Sequence, residues 1–266
     1  MSNQIRSSIE TLGWESLLNR GMQYGDGLFE TMRVVNGRIP LWAFHWQRLV
    51  SSAKTLQLNL PDESVFLSHI SKWSWQSPQS VIKLMLFRKS SGRGYLATHS
   101  TSDWILQAAP LPEIKKEPSS LGVAQLKLAE QPMLAGLKHL NRLEQVLLAK
   151  ELFVSNFDEM LVCSQSGKVV EAVSQNLIFV KDEVLFTPDV SLCGVCGVGV
   201  AWLKKYFDIK DDDVDLEELM TFDELYLINS VRGITQVMSV DGVKKFSTNS
   251  PLHDRINRLW NELMTS

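Results

Sequence analysis

Cysteine, net charge and long apolar runs are all scarce in this chain of 266 residues. Its 27 lysines and arginines nearly balance 30 aspartates and glutamates, and the net charge of −3 provides no basic surface for nucleic acid or an anionic membrane. No apolar run approaches the roughly 18 residues of a membrane-spanning helix. The first residues, MSNQIR, lack the apolar segment of a signal peptide. We therefore expect a cytoplasmic protein with no nucleic-acid partner and no membrane partner.

Two of the three cysteines, Cys193 and Cys196, form a C-x-x-C motif. Such a pair is typical of zinc sites and of redox sites. A structural zinc site needs about four ligands, and no second pair of cysteines or histidines has suitable spacing. A redox pair follows a strand near the start of a βαβ unit, whereas this pair lies late in the chain. We interpret both cysteines as incidental small residues of a loop, and we expect no metal site.

The rest of the composition is typical of a globular protein, with 44% hydrophobic and 21% charged residues. A chain of this length forms one or two domains with a large core. Three prolines and a cluster of charges interrupt any regular pattern across residues 110–118, which predicts a linker. We therefore place one domain at residues 1–112 and a second at residues 113–266.

Apolar periodicity predicts an α/β fold on both sides of this linker. Asn36-Gly37 predicts a two-residue turn between strands at 32–35 and 38–41. Helices are predicted at 42–56, 141–153, 197–206 and 251–263. The other predicted strands lie at 81–87, 104–109, 123–128, 159–163, 177–180, 184–186, 224–228 and 237–240.

A lysine with informative neighbours lies in residues 136–145, GLKHLNRLEQ. Lys138 follows a turn of small residues and precedes apolar residues at three- and four-residue spacing, which is typical of a helix. This pattern fixes one amine beside a packed helix. Because most single lysines are solvated surface charges, the neighbouring residues decide the interpretation.

The lysine segment resembles that of the fold-type IV family of pyridoxal 5′-phosphate enzymes, and four other segments agree. In the family's order and spacing, they are residues 20–31 (RGMQYGDGLFET), 170–177 (VEAVSQNL), 197–199 (GVG) and 229–234 (NSVRGI). The resemblance runs from about residue 20 to about residue 245, and five segments in register are far more specific than one short motif.

The resemblance implies a small N-terminal α/β domain, a larger C-terminal α/β domain with a barrel-like sheet, and pyridoxal 5′-phosphate in the cleft between them. Lys138 would form a Schiff base with the cofactor aldehyde and then move protons as base and acid. Glu171 would lie beside the pyridine nitrogen and favour its protonated form. The family's usual homodimer and a small-molecule substrate are also implied.

The cofactor phosphate needs a cation and backbone N–H groups. By the same resemblance, Arg48 supplies the cation, and Val198 and Gly199 at the start of a predicted helix supply the N–H groups. Ser230 lies where relatives often carry a phosphate-binding threonine, and Asn176 completes the predicted cofactor-binding residues. Relatives often have threonine or methionine in place of Gly199, so we expect only backbone contacts there.

Substrate recognition is predicted at Arg93 and Tyr95, in residues 91–95 (SGRGY). Related transaminases bind the substrate carboxylate with an arginine of this loop, which reaches in from the neighbouring subunit. The alternative is a glycine loop with a solvated arginine. By the same resemblance, Phe29 and Glu30 are expected to line the cleft.

Within the family, the lysine segment and residues 93–95 are most similar to those of the 4-amino-4-deoxychorismate lyases, which form 4-aminobenzoate and pyruvate for folate synthesis. The alternative is a fold-type IV aminotransferase that acts on D-amino or branched-chain amino acids with the same lysine and glutamate. A non-catalytic binding module is a third interpretation. The joint presence of Lys138, Glu171 and Arg48 argues against it.

Overall fold

The computed structural model describes residues 4–8, 19–73, 77–89 and 94–265. By its contacts the chain divides into two compact units. The first comprises Met1–Glu113 and Leu137–Asn141, and the second comprises Ile114–Gly136 and Arg142–Ser266. The predicted boundary at residue 112 placed Lys138 in the second domain. The contacts assign Lys138 to the first unit, because its segment pairs with a strand of that unit.

The first unit contains a four-stranded antiparallel sheet with the order β1-β4-β3-β2. Its strands are β1 (Gln4–Ser7), β2 (Gly27–Val35), β3 (Gln79–Arg88) and β4 (Ser102–Pro110). Its described helices are α1 (Arg20–Tyr24), α2 (Trp42–Thr55) and α3 (Glu63–Ser71). Alternate residues of β2 are buried, as in a strand with one face on a core.

Helix α2 packs against β2. Its buried residues are His45, Leu49, Ser52 and Ala53, whose spacing places them on one side of a helix. The prediction of this helix was therefore correct to within one residue at its end. Arg48 lies one turn beyond His45, so both side chains are available on the side of α2 that faces β2.

The predicted hairpin at Asn36-Gly37 was only half right. Asn36 and Gly37 do have positive φ angles, 50° and 79°, and form a tight turn. The second strand is reduced to a single bridge between Val35 and Arg38. Pro40 has no N–H to donate to a strand ladder, and the chain enters α2 two residues later.

The second unit contains a nine-stranded mixed sheet, in which eight strands follow the order β10-β9-β8-β11-β12-β5-β6-β7 and β13 pairs with β12. The strands are β5 (Ser119–Val123), β6 (Glu159–Cys163), β7 (Val169–Ala172), β8 (Asn176–Lys181), β9 (Val184–Pro188), β10 (Ile209–Asp212), β11 (Glu224–Asn229), β12 (Gly233–Val240) and β13 (Lys244–Lys245). The helices are α4 (Leu143–Phe153), α5 (Val198–Leu203) and α6 (Pro251–Thr265), with a 3₁₀ turn at Glu217–Thr221.

This sheet is curled, because β7 at one end of the order also contacts β8 and β9. Apolar side chains of β5, β6, β8, β11 and β12 fill its interior, with Leu121, Leu177, Phe179 and Leu227 fully buried. The predicted mixed α/β class with a barrel-like sheet is confirmed.

The strand predicted at 123–128 was misplaced, since β5 ends at Val123. The N–H groups of Gln125 and Leu126 donate to the carboxylate of Glu151 on α4, at 2.6 and 3.4 Å. A side chain thus replaces the strand partner of this backbone.

Among the helices that the structure describes, none combines the length and apolar character needed to cross a lipid bilayer.

Candidate active site

The lysine segment, residues 137–141, extends the first sheet beyond β2. Leu28 and His139 form an antiparallel bridge. The N–H of Phe29 donates to the Lys138 carbonyl and the N–H of Leu140 donates to the Gly27 carbonyl, each at 2.9 Å. Backbone hydrogen bonds at Lys138 and Leu140 therefore fix where the Lys138 side chain begins.

The amine of Lys138 lies close to an aromatic ring. Its Nζ lies 4.6 Å from the centre of the Phe29 ring, a distance at which a cation is attracted to the ring face. Lys138 is half-buried. The structure thus brings together Lys138 and Phe29, two of the residues predicted for the site.

Two glycines, one just before β2 and one at its first residue, allow the lysine segment to approach. A Cβ on Gly27 would lie 2.7 Å from Cδ1 of Leu140, and a Cβ on Gly25 would lie 2.2 Å from Oδ1 of Asn141. Gly25 also has a positive φ of 65°, a conformation that favours glycine. The Asn141 amide donates to the Gly25 carbonyl at 3.2 Å, so Asn141 holds the lysine segment in place.

Glu30 is the centre of a buried charged cluster on the same strand. His45 Nδ1 lies 2.6 Å from Glu30 Oε2, and Arg48 donates from Nε to Oε1 at 2.8 Å and from Nη2 to Oε2. Because an ionised carboxylate only accepts, His45 must donate from Nδ1. Glu30 therefore takes two of the five N–H groups of Arg48, the residue predicted to bind phosphate.

The ionisation of this cluster follows from its contacts. Burial raises the pKa of Glu30, but the charge of Arg48 and the hydrogen bond from His45 outweigh it and lower that pKa to about 2. Burial also lowers the pKa of His45, although Glu30 opposes this shift. At neutral pH the cluster thus holds a charged Arg48–Glu30 pair and a neutral His45.

In the second unit, Glu171 lies on β7 and is buried. The N–H of Val195 donates to its Oε2 at 3.1 Å. A Cβ on Gly194 would lie 2.5 Å from Val170 and 3.5 Å from Glu171 Oε2. Glycine at this position, with φ 86°, lets the loop 193–197 close over the carboxylate.

The same loop leads into α5, which carries two of the predicted phosphate-binding residues. The Asn176 amide donates to the Val195 carbonyl at 3.0 Å, so Asn176 braces the loop. Val198 and Gly199 are the first residues of α5. A Cβ on Gly199 would lie 2.9 Å from Ile228 and 3.4 Å from the carbonyl carbon of Asn229, which places Gly199 beside the turn that begins at Ser230.

Cys193, in the loop over Glu171, is an unreactive thiol. Burial and then the charge of Glu171 raise its pKa to about 12, and the thiolate is the reactive form. Among the described residues, no group of three or more histidine, cysteine, aspartate or glutamate side chains is arranged to hold a metal ion.

The predicted substrate residues are only partly described, because Arg93 lies outside the described residues. Tyr95 lines a cavity of about 440 Å³ with Arg20, Asp26 and Arg88. Sequence reasoning assigned no role to these three charged residues. The available signal was an aspartate between two glycines, Gly25-Asp26-Gly27, inside a recognised segment.

A family model described as amino-transferase class IV matches residues 27–240. The chain belongs to this family. Class IV enzymes of fold-type IV depend on pyridoxal 5′-phosphate, so the predictions of an enzyme and of this cofactor are confirmed.

Class IV relatives of two activities resemble the chain over most of its length. An aminodeoxychorismate lyase from Vibrio harveyi is 31% identical over 233 residues, which cover 84% of this chain and 86% of the relative. The crystal structure of a 4-amino-4-deoxychorismate lyase from Pseudomonas aeruginosa has a TM-score of 0.86 and 32% identity, and the match covers 97% of this chain and 98% of that one. A D-alanine aminotransferase from Bacillus licheniformis is 26% identical over 235 residues, with 84% and 82% covered.

The described residues of this class IV chain fit the cofactor. Lys138 offers a positioned amine for an aldehyde, and Glu171 offers a buried carboxylate for a pyridine nitrogen. At the start of α5 the N-cap residue Gly197 contributes no side-chain hydrogen bond, and a Cβ on Gly199 would meet Ile228. Backbone N–H groups are thus the phosphate ligands that this loop can supply.

Proposed function

We propose that this chain is a lyase that converts 4-amino-4-deoxychorismate into 4-aminobenzoate and pyruvate. The observation that carries the proposal is the lyase-type lysine segment, whose Leu140 and Asn141 fit against Gly27 and Gly25. The two lyases reported above support it, at 31% and 32% identity over nearly the whole chain. The reaction belongs to folate synthesis, and a cytoplasmic location follows from that assignment.

When bound, pyridoxal phosphate supplies an aldehyde for amines and a ring that takes up negative charge. Lys138 would hold it covalently and, once replaced by the substrate amine, would remove the proton from the amine-bearing ring carbon of the substrate. The bond between the neighbouring carbon of the substrate ring and the enol ether oxygen would then break, and the substrate ring would become aromatic. Lys138 can return its proton to the departing enolpyruvate carbon, which gives pyruvate, so no amino acceptor is required.

Glu171 would act by charge. A buried carboxylate beside the pyridine nitrogen favours the protonated nitrogen, and the N–H of Val195 holds Glu171 in position. Backbone N–H groups of Val198 and Gly199, with Ser230, would bind the phosphate, while Asn176 braces their loop.

Two further residues would complete the cofactor and substrate contacts. Arg48 would supply the cation for a phosphate oxygen, and its pairing with Glu30 fixes the position of its guanidinium group. Phe29 orients the Lys138 amine. We assign Arg93 and Tyr95 to the substrate carboxylates, which suits the planar, two-donor geometry of arginine.

The test is incubation of the purified, cofactor-loaded protein with 4-amino-4-deoxychorismate, followed by separate assays for 4-aminobenzoate and pyruvate. We expect both products in equal amounts without added 2-oxo acid. The alternative, an aminotransferase, predicts no 4-aminobenzoate and turnover of D-alanine or a branched-chain amino acid only when a 2-oxo acid is present. The D-alanine aminotransferase relative is the reason to include this arm.

Lys138→Ala provides the control for the lysine assignment. We expect it to abolish turnover, because one amine performs both proton transfers. Borohydride reduction of the parent should attach the cofactor to Lys138 alone, as read by peptide mass spectrometry. A cofactor adduct on another lysine would refute the assignment.

We further propose that the active form is a homodimer. The family's usual assembly supports this proposal, and so does the expectation that residues 91–95 recognise substrate in the neighbouring subunit.

A further inference from the structure

Two buried arginines of the first unit share one carboxylate. Arg20 Nε and Arg88 Nε both donate to Oδ2 of Asp26, at 2.8 and 2.9 Å. The arginine side chains are 4% and 9% exposed and that of Asp26 is 17% exposed. One anion thus compensates two nearly buried cations, an arrangement that needs further acceptors around it.

Those acceptors are backbone carbonyls at both ends of residues 94–100, called here the 94–100 segment. Arg20 donates to the carbonyls of Gly94 and Tyr95 at 2.9 and 2.7 Å. Arg88 donates to the His99 carbonyl at 3.3 Å. Arg88 also donates to the Gln57 and Leu56 carbonyls at 2.9 and 2.6 Å, which ties the segment to the end of α2.

The 94–100 segment has little else to hold it. Tyr95 is 88% and Leu96 83% exposed, so these side chains do not pack into a core. The N–H of Gly94 donates to the Tyr24 hydroxyl at 3.2 Å, and the Asn59 N–H donates to the Ser100 carbonyl at 2.8 Å. The Tyr95 ring contacts the Tyr24 ring, with 5.5 Å between the ring centres. Apart from this contact, the position of the segment depends on hydrogen bonds to its backbone.

Asp26 also directly precedes β2, the strand that pairs with the lysine segment. Its flanking residues Gly25 and Gly27 contact Asn141 and Leu140. Its own carbonyl accepts the Arg88 N–H at 3.1 Å. The carboxylate that organises the arginines thus lies at the start of β2, beside the backbone that positions Lys138.

We propose that Asp26 is a positioning residue that, through Arg20 and Arg88, holds the 94–100 segment in a fixed place relative to the lysine segment, and thereby sets substrate affinity. The link to substrate rests on the proposed function, in which Tyr95 contacts the substrate carboxylates. Asp26 itself touches neither substrate nor cofactor. Without its charge, two buried guanidinium groups repel each other and lose the anion that compensates them.

The test is Asp26→Asn, which keeps the shape of the side chain and removes its charge. We expect amide hydrogen exchange of Gly94 and Asn59 to become at least tenfold faster, and the Michaelis constant to rise about tenfold or more, as expected for the loss of charge-assisted hydrogen bonds. Borohydride labelling of Lys138 should be retained, because the lysine segment is held by its own backbone hydrogen bonds. Asp211→Asn, which removes an exposed partner of Lys204, is the matched control and should change neither quantity.

Arg20→Lys provides a second variant in case Asp26→Asn does not fold. Lysine keeps the charge but cannot donate to Asp26, Gly94 and Tyr95 at once, so faster exchange at Gly94 is again expected. Unchanged exchange in the folded variants would overturn the proposal. Faster exchange with an unchanged Michaelis constant would overturn its link to substrate. Exchange needs no turnover, so a parent protein without lyase activity would refute the proposed function while the exchange rates still decide the role of Asp26.

Discussion

At the scale of single residues, Glu30 joins the strand that carries Phe29 to the helix that carries Arg48. Its carboxylate is buried, yet it stays ionised because Arg48 and His45 both bind it. Removing one member of a buried ion pair leaves the other without compensation and typically costs about 3–5 kcal/mol. Glu30 therefore contributes to folding, and in the proposed site it also reduces how much of the Arg48 charge acts on the cofactor phosphate.

The first prediction follows from the lowered pKa of Glu30. With a pKa of about 2 when folded and 4.5 when unfolded, the stabilisation from this group is present above pH 4.5 and is lost as the pH falls towards 2. The shift corresponds to a free energy on the order of 3 kcal/mol. Glu30→Gln should lower the denaturant midpoint at pH 7 and flatten its fall between pH 5 and 3, as measured by urea titrations at about five pH values.

Exposed Glu262 provides the control, since Glu262→Gln should leave both the midpoint and its pH dependence nearly unchanged. A Glu30→Gln curve parallel to that of the parent would show that Glu30 is not the titrating group.

The second prediction concerns Glu171. Glu171→Gln keeps an acceptor for the Val195 N–H but removes the charge that favours a protonated pyridine. We expect the rate to fall by roughly two or more decades, with little change in cofactor affinity. A steady-state assay measures the rate, and a cofactor titration measures the cofactor affinity. Turnover within a few-fold of the parent would mean that Glu171 is not the ring partner.

The sequence predicted residues that lie in motifs, but not contacts that depend on packing between elements. Lys138, Glu171 and Phe29 were predicted for the site from sequence motifs, and their roles stay predictions. The contacts of Arg48 with Glu30 were not predicted, because they depend on how α2 packs against β2. The roles of Arg20 and Arg88 were missed for the same reason, since their acceptors are backbone carbonyls more than ten residues away.

At the scale of elements, β2 does more than form the sheet. One edge pairs with β3, and its first residues pair with the lysine segment instead of another long strand. A five-residue segment gains a defined position this way, although it is too short to form a stable strand pair alone.

The third prediction tests this pairing. In Gly27→Ala, the new Cβ would lie 2.3 Å from the Leu86 carbonyl oxygen and 2.7 Å from Leu140, so either β3 or the lysine segment must move. We expect a loss of roughly 1–3 kcal/mol in the free energy of unfolding and reduced borohydride labelling of Lys138. Gly242→Ala adds a methyl group in open space and controls for backbone strain, so labelling at the parent level is expected there.

Elements with buried apolar residues were predicted well, and β6 was predicted at its observed bounds, Glu159–Cys163. Helix α2 and strands β3 and β4 were correct because each buries a regular face. The errors occurred where a single interaction overrides periodicity: Pro40 stops the second hairpin strand, and Glu151 captures the backbone after β5.

At the scale of the whole molecule, the proposed homodimer predicts a mass of about twice the 30.1 kDa chain in sedimentation experiments.

The fourth prediction uses two inactive variants of the chain. If residues 91–95 serve the neighbouring subunit, mixed dimers of Arg93→Ala and Lys138→Ala chains should regain activity at one site in two. Homodimers of either variant should remain inactive. Absence of recovery in verified mixed dimers would place Arg93 in its own subunit's site or outside it.

Residues 137–141 belong to the first unit by their contacts, while the residues before and after them belong to the second. The gene for this chain therefore cannot be divided into two working halves by one cut near residue 113. The N-terminal fragment would contain β2 but not Lys138, and the C-terminal fragment would contain Lys138 but not β2, the strand with which its segment pairs. We expect neither fragment to be labelled specifically by the cofactor, whereas reassembled fragments should be, which makes the chain suitable as a split reporter of fragment association.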